Sequence, residues 1–351
     1  MMRVLVTGHD GYLGQPVTRA LRQRGHVPSG LDTFLYAPCS LGADEPEPGR
    51  VLAMDVRDVS PAQLEGFDAV VHLAGISNDP LGDLDASLTY EINYKATISL
   101  AQAAKAAGVS RFLFSSSCSL YGAHGDDMLD ESAEFNPVTP YGESKVLAER
   151  DLSNMADDDF SPTYLRNATA YGATPRLRGD LVVNNLVGHA VTRGKVFLKS
   201  DGTPWRPLVH ADDIASAFVA VLEAPRDLVH DEPFNVCRTS ENYRIREVAE
   251  IVEDVVPDCR IELAETAGPD KRNYRVSGDK LIERVDTYDP SWTVRRGVED
   301  LYRAFVDHAM TIAQLEGPDF LRIKKVQHLL STGALDSQLR WQRHTEELVD
   351  A

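Results

Sequence analysis

Short apolar runs alternate with longer stretches of helical repeat over most of this chain. Residues 3–7, 69–74 and 111–115 are nearly continuous in Val, Leu, Ala and Phe, as strands buried on both faces are, and 27–31 and 51–55 read as further strands. Between them, 15–24 reads as a helix closed by Gly25, and 86–107 as a long helix closed by Gly108. The alternation predicts an α/β fold, a Rossmann-type doubly wound parallel sheet. Farther along, 181–192 and 212–222 read as helices, whereas 175–180 and 200–207 read as polar loops containing Gly or Pro that help build a smaller C-terminal substrate lobe. Residues 42–50 form an acidic loop containing Pro, and 320–330 with 335–348 predict an extra helical tail of two amphipathic helices whose default role is packing. The expected organisation is a nucleotide-binding domain over 1–172, a mainly substrate-binding lobe over 173–308 with segments returning to the core, and a helical extension over 309–351.

Glycines punctuate the first strand–helix junction in Thr7-Gly-His-Asp-Gly-Tyr-Leu-Gly14. Gly8 permits a tight turn, Gly11 lets backbone approach a pyrophosphate, and Gly14 allows close helix packing, while the helix N-terminus favours negative charge. Tyr12 and Leu13 belong to the same cofactor-facing loop. Asp32 closes the second strand, where its carboxylate accepts from a ribose 2′-hydroxyl and repels a 2′-phosphate. The cofactor read from these residues is NAD rather than NADP.

Chemistry enters with Ser117, Tyr141 and Lys145. A Tyr and a Lys four apart on a helix share a face, so the ammonium lowers the phenol's pKa and makes Tyr141 a usable base. Alone, that pair more often marks a solvated helix face; the glycine loop and the upstream serine tilt it towards hydride-transfer catalysis. His72, within an apolar strand, reads as a satisfied core histidine. Cys118, with no base beside it, reads as a small pocket-lining residue.

Composition narrows the partners. A net charge of −18 argues against nucleic acid and anionic membranes. Cys39, Cys118, Cys237 and Cys259 form no C-x-x-C pair, so no metal site and no disulfide framework is indicated. No apolar run approaches a membrane span, and the first strand begins at once, so a cytoplasmic enzyme is expected.

Motif order then identifies a resemblance. Besides the glycine loop, the chain carries Asp55-Val-Arg-Asp58, His72-Leu-Ala-Gly75, Asn93, Phe114-Ser-Ser-Ser-Cys-Ser-Leu-Tyr-Gly122, Asn136-Pro-Val-Thr-Pro-Tyr141 with Lys145, Arg206-Pro-Leu-Val-His210 with Asp213, and Asp270-Lys-Arg272. Over roughly residues 3–308 it resembles the extended short-chain dehydrogenase/reductase family, in its nucleotide-sugar epimerase and dehydratase branch. The resemblance implies that Asp55 and Val56 border the adenine and that Leu73, Ala74 and Gly75 line the cofactor. It places Asn93 in the same cofactor set, as a residue that braces backbone. Ser77, Ser119, Thr169, Asn185, Arg206 and Arg272 are implied on the substrate side, the two arginines as a clamp on a sugar nucleotide's diphosphate. Thr169 stands where the family commonly has an Asn.

By the same resemblance the protein is a homodimer acting on a nucleotide-diphosphate sugar. The 4,6-dehydratases of the family carry an Asp-Glu pair after the hydroxyl residue; here Cys118 and Ser119 follow Ser117. The pattern is most similar to that of C4 epimerases working through a transient ketosugar. A 4-ketoreductase or dehydrogenase is served by the same trio, and a non-catalytic NAD-binding regulator needs only the glycine loop.

Overall fold

A computed structural model describes residues 1–43, 46, 48–77, 85–198, 201–263 and 273–342. Its strands, in chain order, are β1 (Arg3–Thr7), β2 (Val27–Asp32), β3 (Val51–Ala53), β4 (Ala69–His72), β5 (Arg111–Ser117), β6 (Ala123–Leu129), β7 (Ser161–Asn167), β8 (Thr169–Tyr171), β9 (Lys195–Leu198), β10 (Trp205–His210), β11 (Glu232–Val236), β12 (Asn242–Arg244), β13 (Arg260–Leu263) and β14 (Asn273–Val276). Seven of them form one parallel sheet in the order β11-β7-β5-β4-β1-β2-β3. The order reverses beside β1, where β1 lies between β4 and β2. Ligands of open α/β sheets bind in the crevice at such a switch point, beyond the carboxyl ends of the strands.

Burial explains the sheet. Val4, Leu5, Val6, Val70, Val71, Phe112 and Phe114 are all sealed from solvent, because helices cover both faces. β7 escaped the sequence reading, since Ser161-Pro-Thr-Tyr-Leu-Arg-Asn167 looks half polar, yet all seven residues are buried. Its charge is neutralised in place: Arg166 forks onto Glu149 of helix Pro140–Ser153, with Nη2 2.7 Å from Oε2.

Smaller sheets frame the second lobe. β10 pairs antiparallel with β12 and parallel with β8, while β13 pairs with β9 and β14 with β6, both in parallel. Helices Val182–Arg193, Ile245–Val255 and Val294–Asp307 pack there around Val187, Val248, Val298 and Phe305. The loop expected over 200–207 is partly strand, for β10 begins at Trp205 and buries Arg206 and Pro207.

Two further expectations change. The helix expected over 86–107 is interrupted by a π turn at Tyr90–Lys95, which joins Ala86–Thr89 to Ala96–Ala106. In the tail, Arg322–Ser331 is helical, but 335–342 is a tight bridge in which Leu335 pairs with Trp341 and Asp336 accepts from the N–H groups of Gln338 and Arg340. A local side-chain cap of this kind competes with helix. The remainder of the second expected helix, 343–348, lies outside the described residues. No helix among the described residues is long and apolar enough to cross a membrane.

Candidate active site

A cleft of about 1180 Å³ opens at the sheet's switch point. One wall begins with the glycine loop. Gly8 has φ +72°, and a Cβ there would stand 2.9 Å from the Ala74 nitrogen; at Gly14 a Cβ would meet the Gly8 oxygen at 2.0 Å. Backbone therefore replaces side chain along a cradle bordered by Gly11, Tyr12 and Leu13. Tyr12 ties this loop to the second lobe by donating to the Gly172 carbonyl at 3.0 Å. Such a cradle, with the helix Gly14–Gln23 starting behind it, fits a dinucleotide pyrophosphate.

Asp32 reaches the same cleft. Its Oδ2 accepts from the Asp10 N–H at 3.0 Å and its Oδ1 from the Phe34 N–H at 2.9 Å, so its carboxylate is fixed in direction. Burial raises its pKa, as does Asp10, against the lowering by His9. Asp55 and Val56 line the cleft below β3. Arg57 grips Asp55 through Nε and Nη2 at 2.9 and 2.6 Å, and these bonds outweigh burial to hold the carboxyl below its usual range.

The central wall carries the trio. Ser117 ends β5, and its Oγ accepts from the Ser119 N–H at 3.1 Å. Tyr141 and Lys145 lie one turn apart on helix Pro140–Ser153, whose N-terminus is fixed by Pro140 and by Thr139, which accepts from the Gly142 N–H. Lys145 Nζ is 5.6 Å from the Tyr141 ring centre and donates to the Ser115 carbonyl at 2.7 Å. Burial pushes the Lys145 pKa down to about 7, partly offset by Glu149. All three side chains face the cleft that the glycine loop borders.

Leu73, Ala74 and Gly75 continue that wall. Asn93 does not. It is 1% exposed and clasps Ile76 from behind, with Oδ1 accepting from the Ile76 N–H and Nδ2 donating to the Ile76 carbonyl, each at 2.7 Å. Asn93 sits within the π turn and supports the wall without lining the cleft. His72 bridges Thr7 and Thr97 at 2.7 and 2.8 Å, and burial pushes its pKa down to about 3. Cys118, expected to line the pocket, is instead sealed behind it, its thiol pushed well above the usual range by burial.

On the far side the cleft is lined by Ser77, Ser119, Thr169, Asn185 and Arg206. Ser119 Oγ is buried without a hydrogen-bond partner among the described residues. Asn185 donates to the Gly179 carbonyl at 2.9 Å, and Arg206, 5% exposed, donates to the Trp205 carbonyl. Arg272 lies outside the described residues.

Sequence reasoning missed two groups. Arg178 forks onto Asp180 at 3.1 and 2.7 Å and donates to Ser77 Oγ at 2.9 Å, spanning the cleft between the lobes. Its signal was available: Arg176-Leu-Arg-Gly-Asp180 concentrates charge in a loop just beyond the carboxyl end of β8. The second group is the tail. Arg322, Lys324, Val326 and Leu339 line the cleft, and Trp341 Nε1 donates to the Thr33 carbonyl at 2.7 Å. Val326, Leu335 and Leu339 pack with Leu88, Leu35 and Tyr36, so the extension covers the end of the cleft beside Asp32.

The chain is similar over most of its length to known enzymes. The chain is 27% identical over 322 residues to a UDP-glucose 4-epimerase of Corynebacterium glutamicum, covering 86% of this chain and 95% of the relative. It is 31% identical over 267 residues to that of Yersinia pestis, covering 66% and 75%. Among solved structures, UDP-glucuronic acid 4-epimerase from Bacillus cereus with UDP-glucuronic acid and NAD superposes with a TM-score of 0.74 at 22% identity, over 87% of this chain and 99% of that one. An NAD-dependent NDP-hexosamine 5,6-dehydratase of tunicamycin biosynthesis superposes at 0.76 with 19% identity, over 88% and 98%, so the fold alone does not separate the two reactions. The profile of the NAD dependent epimerase/dehydratase family matches residues 4–237, and the chain belongs to that family of NAD-dependent enzymes.

Proposed function

We propose that the protein is a nucleotide-sugar epimerase that inverts C4 of a UDP-hexose, with Tyr141 as base. The observation that carries this reading is the meeting of Ser117, Tyr141 and Lys145 with the glycine loop and Arg206 in one cleft. NAD, when bound along Gly8–Gly14 and Asp32, supplies a hydride acceptor that can return what it takes. Tyr141 removes the proton of the sugar 4-hydroxyl as the C4 hydride departs, and Ser117 hydrogen-bonds the same oxygen. Lys145, charged, stabilises the phenolate. After the ketosugar turns to present its opposite face, Tyr141 would give the proton back to the 4-oxygen. Ser119, Thr169, Asn185 and Arg206 hold the nucleotide sugar, with Arg206 on the diphosphate.

The acids of the cleft speak against elimination of water. Asp32 and Asp55 stand at the nucleotide end, Asp180 is forked by Arg178, and Glu316 is paired with Arg193 at 2.8 Å. The positions after Ser117 hold a buried thiol and a hydroxyl. The UDP moiety and C4 are supported by the names of the relatives. A cytoplasmic homodimer completes the reading; it is supported by the resemblance and, for the compartment, by four cysteines that remain free thiols. Sedimentation at twice the chain mass tests the dimer.

Incubating the enzyme with UDP-glucose and with UDP-galactose, followed by NMR and by NADH absorbance, tests the function. Interconversion of the two sugars without net NADH is expected. Stoichiometric NADH consumption with a 4-ketosugar, and no isomerisation, would establish a ketoreductase instead.

A further inference from the structure

We propose that Arg322, carried by the C-terminal extension, is a cofactor ligand whose guanidinium grips the NAD pyrophosphate in the cleft that the glycine loop borders. The inference rests on the NAD-site reading and adds to it a residue from outside the family-matched segment, which ends at residue 237.

The side chain is buried with one donor nitrogen left open. Arg322 is 4% exposed, lies 4.0 Å over the Tyr36 ring and donates through Nη2 to the Arg176 carbonyl at 2.8 Å. Its Nη1 is buried without a hydrogen-bond partner among the described residues. A buried guanidinium that lacks an anion is costly, and burial indeed lowers its pKa, with Arg178 adding repulsion. The acid close enough to help, Asp180, is already forked by Arg178. Two guanidiniums therefore share one carboxylate, leaving a net positive spot inside a chain of net charge −18.

Position selects the anion. Tyr36, under Arg322, follows Asp32 at the ribose end, whereas Arg178 touches Ser77, just past Gly75. The two arginines thus stand between the ribose and nicotinamide walls, in the cleft that Tyr12 and Leu13 also line. A diphosphate lies in that span when a dinucleotide follows the cradle. Arg206, on β10, marks the sugar-nucleotide end instead. The extension is anchored to hold this pose, because Phe320 accepts from the Gly179 N–H at 2.9 Å, Arg57 donates to the Gln338 carbonyl at 2.9 Å and Arg340 pairs with Asp58 at 2.6 Å.

Calorimetric titration of full-length wild type, Arg322→Lys and Arg322→Met with NAD, ADP-ribose and UDP-glucose separates the possibilities. Loss of a charge-assisted hydrogen bond predicts roughly ten- to a hundredfold weaker NAD and ADP-ribose binding in Arg322→Met, with a smaller loss in Arg322→Lys and unchanged UDP-glucose binding. Melting of the ligand-free proteins guards against misfolding: a ligand role predicts Arg322→Met to melt no lower than wild type, since a lone buried charge has been removed. Equal NAD affinity, a loss confined to UDP-glucose, or a large drop in ligand-free melting temperature would overturn the proposal and leave the NAD reading intact. Wild type that binds no NAD would overturn both.

Discussion

Lys145 Nζ donates to the Ser115 carbonyl at 2.7 Å, from a position only 6% exposed, one turn along the helix from Tyr141. That bond fixes the ammonium below the phenol and ties the helix to the end of β5. Burial lowers the Lys145 pKa from 10.5 to about 7, partly offset by Glu149, so the ammonium is disfavoured unless an anion stands beside it.

A pH-dependent stability follows from the same shift. Because the folded pKa is depressed, the unfolded chain binds the extra proton between about pH 7 and 10.5, and this site's contribution to stability is lost as pH falls through that window. Lys145→Met should abolish turnover yet gain stability relative to wild type, by a few kcal/mol at pH 7 and by much less at pH 10. Denaturant unfolding at both pH values checks it. A difference that does not change with pH would contradict the burial of the ammonium.

Asp32 should decide between the two dinucleotides. Its carboxylate is pinned by the Asp10 and Phe34 N–H groups and cannot swing away from a 2′-phosphate. Wild type should favour NAD over NADP by about 1–3 kcal/mol, and Asp32→Gly should erase most of that preference. Equal affinities in the wild type would remove Asp32 from the role.

The Glu149–Arg166 pair should matter for folding. Arg166 Nε contacts both Glu149 oxygens at 3.1 Å, and its Nη1 donates to the Tyr121 hydroxyl and the Glu131 carbonyl, each at 3.0 Å. Glu149→Ala strands a guanidinium behind β5 and should cost about 3–5 kcal/mol in urea unfolding. A loss below about 1 kcal/mol would show that water reaches the pair.

Much of this was legible in the sequence because backbone geometry demanded it. Gly8 and Gly14 announce a cradle that no side chain could share, and the Tyr141–Lys145 spacing needs only a helix to become a shared face. What stayed hidden depends on distant partners. β7 reads as polar until Glu149 neutralises Arg166, and Asn93 turns to Ile76 through a π turn that no local repeat reveals. Arg178 and Arg322 are separated by over a hundred residues yet meet in one cleft, so only the folded chain shows them as neighbours.

The central claim, that Tyr141 moves the proton while the C4 hydride leaves and returns within one closed site, is tested most directly with UDP-glucose deuterated at C4. NMR of the product from wild type should show UDP-galactose that keeps its deuterium at C4, and Tyr141→Phe should form essentially none while still binding NAD. Deuterium lost to solvent, or undiminished turnover in Tyr141→Phe, would contradict the account.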